Sequence, residues 1–179
     1  AKQSGFQIPG TTAGEAESQT IQLGTRLTGG HIVYRNSWGT YGSAKNAYLV
    51  EVIELGDMPG VELKSLVIND ELVDFDPQGT AHPDFGVELP FTNESGVRLA
   101  WAKFYDGTQT TADPYLVDKF SAETDYAWTT DHIGTGTPYV ILTYLFNRKQ
   151  FKGRPRSAFV HSGIPLYDPR KDTTAGGSG

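Results

Sequence analysis

Two apolar runs constrain this chain more than any other feature: "NAYLVEVIEL" over residues 46–55 and "TPYVILTYLF" over residues 137–146. Each is too short for a membrane span and leaves little polar face. Runs of this kind, rich in β-branched and aromatic residues, read as central strands covered on both sides. A strand buried on both faces needs neighbours within its sheet and a layer above and below it. The rest of the chain must supply them.

The sequence offers candidates. "VELKSLVIND" predicts a strand over 61–68, with Asn69-Asp70 opening a turn. "FVHSGIPLYD" predicts one over 158–166, halted by Pro165 and Pro169. "VRLAWAKFYDG" alternates, with Leu99, Trp101, Lys103 and Tyr105 on one side and Arg98, Ala100, Ala102 and Phe104 on the other. Gly29-Gly30 between two apolar runs allows a tight hairpin or a plain loop. "DFDPQGTAHPDFG" is too rich in proline for regular structure. In "TADPYLVDKF", Asp113 fits a helix cap and Pro114 the first helical position, so a short helix follows. "WTTDHIGTG" reads as a turn capped by Thr129 or Thr130 and closed by Gly134. The fold class is therefore mainly β with a short helix or two, a β-rich α+β fold. Nine tyrosines, nine phenylalanines and three tryptophans suit it.

Charge and composition exclude some functions. The net charge of −6 gives no counterion-release energy on a phosphate backbone, so no specific nucleic acid is expected as partner. The absence of cysteine removes disulfides and thiolate chemistry. No stretch approaches the ~18 apolar residues of a membrane span, and no membrane insertion is expected.

Motifs for chemistry are weak. "GTGTPY" precedes a strand, where a phosphate loop follows one and opens a helix. His31, His82, His132 and His161 have no metal-pair spacing. Asp70, Glu71, Asp74, Asp76 and Asp84 lack the glycine and final glutamate of a calcium loop. No Gly-x-Ser-x-Gly occurs. Paired carboxylates for glycoside hydrolysis cannot be read from sequence. Trp38, Trp101 and Trp128 fit either a sugar-stacking platform or core anchors.

The order of segments carries more. "LGTRLTGGHIVYR", "NAYLVEVIELGDMPGVELKSLVINDELV", "KFYDGTQTTADPYLVDKF" and "WTTDHIGTGTPYVILTYLFNRKQFKGRPRSAFVHSGIPLYDPRK" together resemble the tail tip attachment protein J family, the central tail hub or host-specificity proteins of long-tailed bacteriophages and prophages. The resemblance runs from about Leu23 to Arg170. Its positions are Gly29, Gly30, Asp113 and Pro114; Trp128, Asp131, His132, Gly134 and Gly136; Phe151, Gly153 and Pro155; and Gly163, Tyr167, Asp168, Pro169 and Arg170. Ile164 and Pro165 stand where the family usually has an Arg-Lys pair, which puts a basic contact there in doubt.

The resemblance implies a middle fragment of a longer chain. Its parts would be a flexible lead-in (1–20), hub-domain strands (21–70 and 129–170), an inserted small β/α subdomain (71–128) and a disordered tail (171–179). It implies a structural component of the virion tail tip, made in the bacterial host cytoplasm, that closes the tail tube and supports host attachment. The partners would be other tail proteins, further copies in a trimer and a host surface receptor. No enzymatic activity, metal or cofactor is expected. The alternatives are a carbohydrate- or receptor-binding module and, third, a cell-wall hydrolase.

Overall fold

The computed structural model describes residues 24–151, 153–163 and 174. Among them are ten strands and one helix: β1 Thr25–Thr28, β2 His31–Tyr41, β3 Ala44–Glu54, β4 Glu62–Ile68, β5 Glu71–Asp74, β6 Ala81–His82, β7 Gly86–Glu88, β8 Ala100–Tyr105, α1 Pro114–Phe120, β9 Tyr139–Leu145 and β10 Ser157–Ser162. A six-stranded sheet runs β2-β3-β9-β8-β7-β6, and a four-stranded sheet runs β1-β10-β4-β5. Every pairing is antiparallel. The fold is mainly β with one short helix, as the sequence predicts.

The two long apolar runs are the middle of the larger sheet. β3 pairs β9 from Tyr48↔Leu145 to Glu54↔Tyr139, and all seven residues of β9 are buried. Register assigns the two faces. Val52, Ile141 and Lys103 share one face; Glu51, Leu142 and Ala102 share the other. The helix lies on the first face, where Tyr34 meets Phe120 at 5.5 Å and Trp38 meets Tyr115 at 6.1 Å. The smaller sheet lies on the second, where Phe75 meets Phe104 at 6.4 Å. These three layers explain why the central strands carry no polar face.

Asn69 and Asp70 both take positive φ, at 50° and 70°, and close the β4–β5 hairpin. This is the turn the sequence opens there, and it places the 70/71 boundary inside a hairpin. Residues 71–128 do not build a sheet of their own. β5 joins the smaller sheet, β6, β7 and β8 join the larger one, and their apolar residues enter the shared core.

Two expectations need correction. Gly29-Gly30 do not close a hairpin: β1 pairs β10 and β2 pairs β3, so the glycines carry the chain from one sheet to the other. Gly30 has φ 65°, and a Cβ there would lie 2.7 Å from the Glu54 carbonyl oxygen and 2.5 Å from Ile53, so no larger residue fits that crossing. The proline-rich stretch after Asp74 is not wholly irregular. Thr80 accepts from the Glu88 amide at 2.8 Å and Ala81–His82 form β6 against β7. Pro165, Tyr167, Asp168, Pro169 and Arg170 lie outside the described residues, as do the lead-in and most of the tail; β10 ends at Ser162 within them.

Candidate functional site

The densest polar cluster gathers at the helix start. Asp113 is fully buried, and its Oδ1 accepts the Leu116 amide at 2.9 Å, the predicted cap. Its Oδ2 accepts from Lys103 Nζ at 2.7 Å and from the Tyr105 hydroxyl at 2.7 Å. Alternation along β8 puts both donors on the helix face. Burial pushes the Tyr105 hydroxyl far above its ordinary range, and the hydrogen bond to Asp113 raises it further. Tyr139, its ring tilted against Tyr105 at 4.9 Å, is raised by burial and then by the Asp113 charge. The cluster holds a carboxylate against a cation and a phenol that stays protonated. Asp113 is committed to three donors, so the arrangement fastens the helix to the sheet.

The second buried carboxylate is Glu51, on the opposite face. Its Oε1 accepts from Arg35 Nε at 2.7 Å and from Arg154 Nε at 2.6 Å, while Oε2 has no partner among the described residues. Arg154 arrives on the turn of Phe151, Gly153 and Pro155. Phe151 anchors that turn by packing 5.2 Å from Tyr144 and 5.4 Å from Phe91, and its amide donates to Asn147. Because Glu51 and Asp113 lie on different faces of the sheet, they do not face one another across a cleft as paired hydrolytic carboxylates do.

The Trp128–Gly136 segment is a knot of turns. Trp128 is buried, 5.2 Å from Tyr34 and 5.0 Å from His132. His132 Nδ1 accepts the Thr129 amide at 3.0 Å, and Thr129 rather than Thr130 makes the capping contacts. Gln109 holds the knot to the neighbouring loop. Its amide nitrogen donates to the carbonyls of Gly134 and Thr137, and its oxygen accepts the Gly107 amide. Gly136 donates to Gly107 at 2.7 Å. Gly134 has φ 70°, and a Cβ there would press 2.9 Å from the Tyr139 ring. Asp131 is exposed. Gly163 is buried and donates to the Gly24 carbonyl at 2.7 Å.

An open groove of about 490 Å³ lies where the two sheets part. Val61, Leu63, Phe75, Pro77 and Phe104 give it an apolar floor, and Glu62, Lys64, Asp106 and Thr108 a polar rim. Glu62 pairs with Lys64 at 2.6 Å, and Asp106 accepts from Thr108, which lowers its carboxyl. The tryptophans do not form an exposed platform: Trp101 and Trp128 are buried, and Trp38 stacks on Tyr48 at 4.8 Å with Lys119 over its ring.

Among the described residues no group of three or more His, Asp or Glu side chains is placed to hold a metal ion. His82 stacks on Phe85 at 4.1 Å, and His161 is buried in the smaller sheet. Sequence reasoning found the Asp113 cap and the turn glycines. It missed Glu51, whose ligand Arg154 stands 103 residues away, and Gln109, a lone amide with no local signal. No family model, curated protein or solved structure matches the chain.

Proposed function

We propose that the protein is a non-catalytic structural component of a bacteriophage tail tip, part of the hub that closes the tail tube and supports host attachment. The ordered series of motifs from Leu23 to Arg170 carries this reading. The use of the described motif residues supports it. Trp128, His132, Gly134, Gly136 and Phe151 fasten loops to the sheets, and both buried carboxylates are occupied by internal cations. A framework part needs such rigidity, whereas a hydrolase needs a free acid and base in one cleft. The partners are other tail proteins and further copies of this chain; the place of action is the virion tail tip.

Antibodies raised against the chain should label the tail end of phage particles produced by the organism that encodes it, as seen by immunogold electron microscopy. Labelling of capsids, or of no particle at all, would overturn the proposal.

A further inference from the structure

The two sheets end differently at their edges. The larger sheet is protected. β2 carries a bulge at Val33, its register with β3 shifts again between Trp38 and Thr40, and β6 is two residues long. Bulges and very short strands are the usual devices that stop an edge from pairing with another chain. Among the described residues the smaller sheet has neither a bulge nor a proline on its two edges. β1 reads Thr-Arg-Leu-Thr and β5 reads Glu-Leu-Val-Asp, each four residues long and free of proline and lysine.

These edges complement one another. Leu27 on β1 is 62% exposed and Leu72 on β5 is 65% exposed, and register puts both on the outer face of the sheet. Arg26 is exposed on one edge; Glu71 and Asp74 are exposed on the other. Strand polarity also fits. The order β1-β10-β4-β5 alternates in direction throughout, so a second β1 laid beside β5 continues the antiparallel pattern. With Leu27 opposite Leu72, Thr28 meets Glu71 and Thr25 meets Asp74. Arg26 then lies one diagonal step from the Glu71 carboxylate, within reach of a long side chain.

We infer that the β1 edge of one copy of this chain pairs with the β5 edge of another, joining their small sheets head to tail. A contact between two different edges is heterologous, so it builds a closed ring or an open filament. The short strands make each contact weak on its own. The pairing rests on the two edges alone and stands whether or not the protein belongs to a tail tip.

The chain has no cysteine, which makes crosslinking selective. The doubly substituted Leu27→Cys/Leu72→Cys protein, oxidised at high concentration, should give a ladder of disulfide-linked dimers and larger species. Either single variant should stay monomeric, because neither edge meets its own copy. Adding Arg26→Glu to the double variant should abolish the ladder, and adding Glu71→Arg as well should restore it. Both edges are exposed, and unchanged circular dichroism checks that each variant is folded. A double variant that stays monomeric, a single variant that dimerises as readily as the double one, or a ladder indifferent to Arg26→Glu would each overturn the inference.

Discussion

Asp113 shows how one side chain joins local to tertiary structure. Its cap on Leu116 is a contact three residues along the chain, and its bonds to Lys103 and Tyr105 cross from the helix to the sheet. Removing it leaves a cation and a phenol facing a cavity. Asp113→Ala should therefore cost about 3–5 kcal/mol, the usual penalty for breaking a buried pair by deleting one partner. Asp113→Asn keeps an oxygen for the cap but not the charge, and should fall between the two. Urea unfolding with an unchanged slope would measure both. A midpoint in Asp113→Ala equal to that of the parent would show that the cluster does not hold the helix. The cap itself was legible in "ADP", because capping is a rule of neighbouring residues. The alternation of β8 also placed Lys103 and Tyr105 on one side. Nothing in the sequence said that this side faces Asp113, since that depends on which sheet face the helix covers.

Elements divide in the same way. The β4–β5 hairpin follows from Asn69-Asp70 alone, and β3, β4 and β9 from their apolar runs. By contrast, Gly29-Gly30 carry the same turn chemistry as a hairpin, yet their flanking strands enter different sheets. Turn residues report backbone conformation; the partner of each strand is set by contacts far along the chain, 21 residues for Ile32↔Ile53 and 137 for Thr25↔Ser162 by difference in numbering. The Asn69-Asp70 turn can be dissected. Asn69 holds φ 50°, and its Oδ1 accepts the Arg156 amide at 3.0 Å, tying the hairpin to the start of β10. Asn69→Ala loses that bond and strains the left-handed backbone, for about 2 kcal/mol together. Asp70→Gly relaxes φ 70° and gives up only an ion pair whose side chains are 77% and 79% exposed, so it should stay within about 0.5 kcal/mol of the parent. Thermal unfolding of the two variants side by side checks the contrast. Equal losses would mean that the turn is not anchored through Asn69.

At the scale of the whole molecule, the aromatic content that favours a β fold also sets how the protein responds to alkali. Tyr115, Tyr139 and Tyr144 are buried in the core, and burial is the main cause that raises each hydroxyl well above its ordinary range near 10. For Tyr144 the Glu51 charge adds to the rise and Arg154 opposes it. In the unfolded chain these phenols lose their protons near pH 10, while in the folded chain they keep them. The folded state therefore binds more protons above that pH, and stability is full below pH 10 and falls as pH rises through the folded values. Each retained proton contributes about 1.4 kcal/mol per pH unit, so these three alone give a slope of about 4 kcal/mol per pH unit, and Tyr105 adds to it. Against a typical domain stability of about 5–15 kcal/mol, unfolding should come within a few pH units above 10. Tyr144→Phe offers a clean control, because the Tyr144 hydroxyl has no partner among the described residues and its loss leaves no group unsatisfied. That variant should match the parent at neutral pH and lose stability less steeply in alkali, by about 1.4 kcal/mol per pH unit. Ultraviolet absorbance of the phenolates, followed together with circular dichroism, should show the buried tyrosines ionising only as the sheets unfold. Ionisation ahead of unfolding, or an unchanged slope in Tyr144→Phe, would place these hydroxyls in contact with water and contradict the three-layered core.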